Sequence, residues 1–256
     1  MKDKEIEKNR YNLVSKENIE LPQSNSFFKL IGSKAFPVYF RQPYIAYEKL
    51  LENLIFNNKN VKTLDLCCGD GIHSFSAAIF GADVIALDYA ENSILLAKKR
   101  AESLGIKVDF MTCDVEKLPF ENEKFDIVTC IGSLSYLNHD ILIKEVIRVL
   151  KFNGKFIVID SFNYNPIYRL NRYIHFLKGN RTYSTLERMP NNKLLEKIKV
   201  NFSEFNIEYF GTFIFLIPFF KLFLNEQSIN RILIFMDNFF NIFKRYSFKI
   251  LFIATK

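Results

Sequence analysis

The chain has 256 residues, of which 49% are hydrophobic, and 35 lysines and arginines against 28 aspartates and glutamates give it a net charge of +7. This composition supports a large buried core and excludes overall disorder. The positive charge is compatible with an anionic small molecule, a nucleic acid or a membrane surface and selects none of them.

The predicted elements alternate between strands and helices in one domain. After an aromatic-rich stretch at 27–40, a helix is predicted over 43–57. Strands at 62–67, 83–87, 107–113, 125–131 and 154–159 enclose helices at 72–80, 92–105 and 139–151. An irregular segment at 161–190, a helix at 191–201 and strands at 206–212 and 247–254 follow. Short apolar strands separated by helices predict an α/β fold, with a parallel, doubly wound sheet that carries helices on both faces.

Cysteine spacing and the amino terminus bear on metals and location. The adjacent pair Cys67-Cys68 fits neither a disulfide framework nor a C-x-x-C metal site, so we predict no metal. The amino terminus is charged and has no apolar leader segment. We therefore predict a cytoplasmic protein with reduced thiols.

The segment 61–71, Val-Lys-Thr-Leu-Asp-Leu-Cys-Cys-Gly-Asp-Gly, predicts a buried strand that turns sharply into a helix. Such a turn at the carboxyl edge of a parallel sheet is where nucleotide-like cofactors bind. The dinucleotide fingerprint G-x-G-x-x-G is absent, because Cys67 takes its first glycine position and only Gly69 and Gly71 follow. The carboxylates of Asp65 and Asp70 would repel a pyrophosphate and favour a ligand that carries a cation. An ordinary strand–helix turn is the alternative for this segment alone.

Two further acids end the next two predicted strands. Asp88 follows the turn at roughly the twenty-residue spacing at which nucleoside-binding folds place an acid on the ribose hydroxyls, with a helix cap as the alternative. Asp114 ends the third strand, where a carboxylate can accept a hydrogen bond from an adenine amino group. It opens the run D-x-x-x-L-P-F-x-x-x-x-F-D-I-V at 114–128.

These motifs carry a family resemblance. The glycine turn resembles the first motif of class I S-adenosylmethionine (SAM) methyltransferases, D-x-G-x-G-x-G, with Cys67 replacing its first glycine. The run at 114–128 resembles one common in the relatives of the ubiquinone and menaquinone methyltransferases. The resemblance extends over about residues 45–160. It implies a Rossmann-like, seven-stranded and mostly parallel sheet, SAM as cofactor and methyl donor, and S-adenosylhomocysteine as product.

The resemblance also implies roles at the carboxyl ends of the first four strands. Asp65 and the backbone of the turn would hold the methionine amino group, and Asp88 would bind the ribose. The end of the third strand would meet the adenine edge, and the end of the fourth would lie beside the sulfonium and the methyl group. The predicted cofactor-binding residues are Asp65, Cys67, Gly69, Gly71, Asp88, Tyr89, Asp114, Val115, Cys130 and Gly132.

In this fold the segment after the fifth strand usually contributes to the acceptor site. We therefore divide the single domain into an N-terminal cap at 1–42, a SAM-binding core at 43–160, an acceptor-site segment at 161–205 and carboxyl-terminal strands with a Phe-rich insertion at 206–256. Candidate general bases for an oxygen acceptor are Tyr136, His139 and His175, with helix capping as the alternative for His139. The predicted substrate-binding residues, whose cations would hold phosphate or carboxylate, are Arg172, Tyr173, Arg181 and Arg188. Solvated helix charge is the alternative.

The fourth strand lacks the N/D-P-P-Y/F motif of amino-methylating nucleic-acid enzymes, and Cys130 follows Thr129 rather than a proline. We therefore expect a small-molecule acceptor and no nucleic acid. A weaker resemblance of 165–190 to methyltransferases of surface-polysaccharide synthesis implies an oxygen of a sugar or sugar-nucleotide as acceptor. A phosphorylated small amine, a lipid or quinone-type ring, and a non-catalytic SAM-binding or RNA-binding subunit are the alternatives. The Phe-rich stretches at 212–220 and 229–243 predict core packing, with peripheral membrane contact as the alternative.

Overall fold

The computed structural model describes residues 2–17, 37–179 and 181–256. Most of the aromatic stretch at 27–40, and with it much of the N-terminal cap, lies outside the described residues. The described helices, α1 to α10 in chain order, are Lys2–Glu17, Gln42–Phe56, Ile72–Ile79, Glu91–Leu104, His139–Val149, Pro166–Leu177, Tyr183–Glu187, Asn192–Asn201, Ile217–Phe220 and Glu226–Phe239. The strands, β1 to β7, are Lys62–Leu66, Asp83–Asp88, Asp109–Thr112, Phe125–Ile131, Leu150–Ser161, Glu204–Phe210 and Lys249–Thr255.

The strands form one seven-stranded sheet in the order β3-β2-β1-β4-β5-β7-β6. Strands β1 to β5 run parallel to one another. Strand β7 runs antiparallel to both β5 and β6. The predicted Rossmann-like, seven-stranded and mostly parallel sheet is therefore confirmed. Because β6 ends and β7 begins beside the end of β5, the insertion at 211–248 between them starts and finishes at the carboxyl edge of the sheet.

Alternation along the strands distributes the core to both faces of the sheet. Val128, Phe156 and Phe252 belong to one buried cluster, which includes residues of α5 and α8. Their chain neighbours Ile127 and Ile157 belong to a second cluster, with residues of α2. This period-two pattern places both faces of the central strands against helices, as in other parallel sheets.

Two sequence predictions about local structure are wrong. The segment predicted as irregular, 161–190, contains the helices α6 and α7, which begin after Asn165 and Thr182. The Asn165 side chain accepts a hydrogen bond from the Tyr168 amide at 3.0 Å and so caps α6, a signal present in the sequence. The helix predicted to run to residue 151 instead ends at Val149, because β5 already begins at Leu150 and shifts register against β4 there.

Candidate functional site

A cleft of about 680 Å³ opens at the carboxyl edge of the sheet. The loops that follow β1, β2, β3 and β4 line it, and residues of α1 and α7 line its other side. Of the predicted cofactor residues, the cleft is lined by Cys67, Gly69, Asp88, Tyr89, Asp114, Val115 and Gly132. The remaining three, Asp65, Gly71 and Cys130, are buried beneath it.

The Asp88 carboxylate fixes the glycine turn to the end of β2. One of its oxygens accepts a hydrogen bond from the Gly69 amide at 2.8 Å, and the other accepts one from the Ala90 amide at 2.8 Å. Burial raises the pKa of Asp88, and these amide hydrogen bonds partly offset the rise. Since each carboxylate oxygen has a second lone pair, the group can still accept hydrogen bonds from a ligand in the cleft.

Cys67 occupies the left-handed region of backbone space, with φ at 56°. This is the position at which the resembling motif has its first glycine, and a residue with a Cβ is strained there by about 1–2 kcal/mol. The chain thus places a cysteine in a left-handed conformation that favours glycine. The Cys67 side chain packs on the core beneath the turn, which compensates part of that strain.

Helix α1 covers the part of the cleft next to β2 and β3. Lys4 Nζ lies 2.6 Å from an Asp114 carboxylate oxygen and 3.2 Å from Glu116. The Tyr89 hydroxyl donates to Glu5 at 2.7 Å, and Lys8 Nζ lies 4.6 Å from the centre of the Tyr89 ring. Helix α1 belongs to the cap predicted at 1–42, but these contacts were not predicted. Their only sequence signal is a lysine–acid alternation that is equally typical of a solvated helix.

Asp65 lies beneath the turn and does not line the cleft. It is 1% exposed, and its two oxygens accept hydrogen bonds from the hydroxyls of Ser74 at 2.5 Å and Thr129 at 2.7 Å. These bonds join β1 to α3 and β4 beneath the turn. The described geometry gives this carboxylate a structural role. Its contact with the methionine amino group stays a prediction.

We expect Asp65 to make stability pH-dependent. Burial raises its pKa to about 6, despite the two hydroxyl hydrogen bonds. A raised folded-state pKa means that stability is fully present below the unfolded-state value near 4 and is lost as the pH rises through 6. Relative to wild type, Asp65→Asn should therefore gain up to about 3 kcal/mol in free energy of unfolding between pH 4 and pH 7.

Urea unfolding at both pH values, without SAM, measures this difference. Asp83→Asn, an exposed acid at the start of the neighbouring strand β2, is the control for general effects of removing an acid. A stability difference between wild type and Asp65→Asn that is independent of pH would contradict the assignment.

A cationic cluster lies on the other side of the cleft, around the Tyr136 hydroxyl. Arg10 donates to this oxygen at 3.3 Å, Tyr11 donates to it at 3.0 Å, and Arg181 donates to it as well. A phenolic oxygen has two lone pairs, so three donors exceed what it can accept at once. The guanidinium of Arg10 is balanced by Glu7, at 2.6 Å. Within the described residues, Arg181 forms no ion pair with a carboxylate.

Arg172 is a second cation at this end of the site. It is 9% exposed, it donates to the Ser135 hydroxyl at 3.3 Å, and its Nε has no hydrogen-bond partner among the described residues. A buried guanidinium without a charge partner is costly unless an anion approaches it. Arg188 lines the cleft itself. The structure thus brings three of the four predicted substrate residues to one side of the site.

Of the other residues predicted for the acceptor site, one lines the cleft and three do not. Tyr136 lines the cleft, whereas His139 does not, and a ring nitrogen of His139 lies 3.0 Å from the Leu134 carbonyl oxygen. Burial lowers the pKa of His139.

The structure does not bring Tyr173 and His175 into the site, because α6 turns Asn165, Tyr168 and Arg172 inward and leaves both exposed. His73, which directly follows the glycine turn, stacks on Tyr44 with ring centres 5.5 Å apart and lines the cleft. Burial lowers its pKa to about 3.

Comparison with known proteins places these observations in a family. A profile described as "Methyltransferase domain" matches residues 57–207, more than half of the chain. A sterol 4-C-methyltransferase of Caenorhabditis elegans is 37% identical over 111 residues, which cover 42% of this chain and 33% of that protein. A ubiquinone biosynthesis O-methyltransferase of Bordetella parapertussis is 33% identical over 106 residues, covering 41% of this chain and 44% of that protein. The chain thus spans less than half the length of these relatives.

A solved structure shares the fold. The geranyl diphosphate C-methyltransferase of Streptomyces coelicolor superposes with a TM-score of 0.58 at 18% identity, over 85% of this chain and 80% of that one. At that identity the likeness concerns the architecture alone. Among the described residues, no helix is both long and apolar enough to cross a membrane.

Proposed function

The chain belongs to the family of class I SAM-dependent methyltransferases, and from that premise we propose that it transfers the methyl group of SAM to an acceptor that combines an anionic group with an apolar body. In the transfer, a bond forms between the acceptor atom and the methyl carbon while the carbon–sulfur bond breaks. The sulfonium becomes the uncharged sulfur of S-adenosylhomocysteine. Proximity and in-line geometry supply most of the rate of such a reaction.

The strand order supports this arrangement. Along the carboxyl edge the sheet presents the loops after β3, β2, β1, β4 and β5 in turn. Asp114 and Asp88 therefore lie at the end suited to the adenosine, and Gly132 lies centrally, where the sulfonium and methyl group are predicted. Arg172 follows β5 on the far side. Acids thus flank a cationic donor, and arginines flank the place of the acceptor.

The proposal that the acceptor is anionic rests on the cluster of hydrogen-bond donors around the Tyr136 hydroxyl. Arg10, Tyr11 and Arg181 direct hydrogen bonds at a single hydroxyl oxygen. A phosphate or carboxylate offers more lone pairs than a phenol and could satisfy both guanidinium groups. Of the three predicted base candidates, Tyr136 is also the one that lines the cleft.

The names of two relatives, a sterol 4-C-methyltransferase and a ubiquinone biosynthesis O-methyltransferase, support an acceptor with an apolar body. A sugar-nucleotide is the second candidate, since its diphosphate would fit the same arginines. An assay of S-adenosylhomocysteine formation with a polyprenylated dihydroxybenzoate, the catechol analogue that lacks its carboxylate, and a nucleotide sugar distinguishes the two. Turnover of the benzoate in preference to the uncharged catechol supports the proposal, and turnover of the nucleotide sugar alone favours the second candidate. Turnover of the catechol and the benzoate at equal rates, or SAM binding without any turnover, would contradict the anionic acceptor.

We expect Arg181→Ala to raise the KM for the acceptor at least tenfold and to leave the dissociation constant for SAM unchanged. Losing one charge-assisted hydrogen bond costs about 1.5–3 kcal/mol, which corresponds to that range. Arg169→Ala is the matched control, because this arginine is exposed on α6. A parallel loss of SAM affinity in Arg181→Ala would show that the cluster does not act on the acceptor.

A further inference from the structure

The insertion between β6 and β7 has one face packed and one face exposed. Ile217, Ile229 and Leu233 are buried against Tyr39. The Asp237 carboxylate accepts hydrogen bonds from the amides of Gly211 at 2.8 Å and Thr212 at 3.0 Å, which ties α10 to the start of the insertion. The prediction of core packing is thus met by one face only.

The opposite face carries large apolar side chains in contact with one another. Phe219 and Phe223 are 61% and 73% exposed, with ring centres 5.7 Å apart. Phe235 and Phe239 stack at 5.7 Å and are 64% and 69% exposed. The other large apolar side chains exposed on the insertion are Phe215, Leu222, Leu224, Phe240, Ile242 and Phe243. Clusters of exposed aromatic side chains of this kind mark an interaction site.

Helix α6 exposes a second apolar stripe next to the insertion. Ile167, Leu170 and Ile174 recur at helical spacing and are all exposed. The two elements are joined, since the Asn165 side chain donates to the Tyr246 carbonyl at 3.0 Å and Tyr168 packs edge-on against Phe248 at 4.8 Å. We call the exposed faces of α6 and of the insertion at 211–248 the docking surface.

Charge distinguishes between the partners that such a surface could take. Segment 166–182, which contains α6, has no acid, and two of its cations, Arg169 and Lys178, are exposed. In the insertion Lys221, Arg231, Lys244 and Arg245 outnumber Glu226 and Asp237. The Asp237 carboxylate is turned onto backbone amides. Cations that border exposed aromatic side chains are the pattern of a helix that lies in the interface of an anionic membrane.

We propose that the docking surface binds the protein peripherally to an anionic lipid bilayer. Both elements start from the carboxyl edge of the sheet, the edge at which the cleft also opens, so binding would bring the site close to the lipid headgroups. The apolar side chains would enter the headgroup boundary and the lysines and arginines would meet the lipid phosphates. This docking does not require the proposed methyl transfer and can be tested without an acceptor.

The test is co-sedimentation of the full chain with vesicles of phosphatidylcholine alone or with about one-third phosphatidylglycerol, at low and high salt. We expect binding to the anionic vesicles that weakens with salt. The double variants Phe219→Ser/Phe223→Ser and Phe235→Ser/Phe239→Ser should each lower the partition coefficient at least tenfold. Phe152→Ser/Phe56→Ser is the matched control, because both phenylalanines are 78% exposed and lie at the amino edge of the sheet.

Calorimetric SAM binding by each variant shows that it is folded. Absence of vesicle binding by the wild-type chain would overturn the proposal, as would an equal loss in the control variant. Sedimentation velocity provides a further decisive outcome. A dimer that the Phe219→Ser/Phe223→Ser variant dissociates, together with no vesicle binding, would assign the docking surface to a second copy of the chain.

Discussion

Replacing Asp88 by alanine is expected to raise the dissociation constant for SAM at least a hundredfold. The carboxylate lies in the cleft at the end of β2, and each of its oxygens keeps a lone pair beyond the amide hydrogen bonds from Gly69 and Ala90. Two ribose hydroxyl hydrogen bonds to a charged acceptor contribute about 1.5–3 kcal/mol each, and alanine removes both. Isothermal calorimetry with SAM measures the change.

Asp83→Ala is the matched control for this substitution. Asp83 begins the same strand at the opposite edge of the sheet and is exposed, so its loss should leave SAM binding unchanged. The melting temperature without SAM separates a lost ligand contact from general unfolding, since Asp88 also holds the glycine turn. A dissociation constant for Asp88→Ala within threefold of the wild-type value would contradict the ribose assignment.

The sequence sufficed for the fold and for one side of the cleft because both depend on local patterns. Apolar runs of strand length define the sheet, and in a parallel sheet all strands end at one edge. An acid or glycine directly after such a run must therefore lie at that edge, as Asp88, Asp114 and Gly132 do. The family match then confirmed the resemblance, and with it SAM as the cofactor.

The rest of the site depends on contacts between residues that are distant in the sequence. Arg10 and Tyr11 approach Tyr136 across more than a hundred positions, and nothing in the pattern of α1 encodes that approach. The buried state of Asp65 has a similar cause, because Ser74 and Thr129 come from two different elements. On α6 the rotation of the helix decides which residues point inward. Arg172 is therefore buried and Tyr173 exposed, which the composition of the segment alone does not predict.

The charges of the site divide along the sheet edge in a way that fits methyl transfer. Asp88 and Asp114 stand where the cationic donor is predicted to bind, and Arg172, Arg181 and Arg188 stand beyond β4. Transfer removes the positive charge from the sulfur, so we expect S-adenosylhomocysteine to be attracted to these acids less than SAM is. The arginines would keep their attraction for the proposed anionic acceptor throughout the transfer.

We expect Gly71→Ala to lower the free energy of unfolding by about 4 kcal/mol, as the sum of backbone strain and overpacking. Gly71 precedes α3 with φ at 85°, and a Cβ there would lie 3.0 Å from the Ala97 Cβ and 3.1 Å from the ring carbons of Phe75 and Phe110. These side chains belong to one buried cluster that cannot move independently. Urea unfolding without SAM measures the loss.

Gly69→Ala is the matched comparison, because Gly69 shares the left-handed backbone, with φ at 56°, but a Cβ there would meet no atom within 4 Å. Its stability cost should be limited to about 1 kcal/mol of strain. Since Gly69 lines the cleft and Gly71 does not, the added methyl group at position 69 should instead weaken SAM binding. A greater stability loss at position 69 than at 71 would contradict this division, in which one glycine of the motif is required by the core and the other by the ligand.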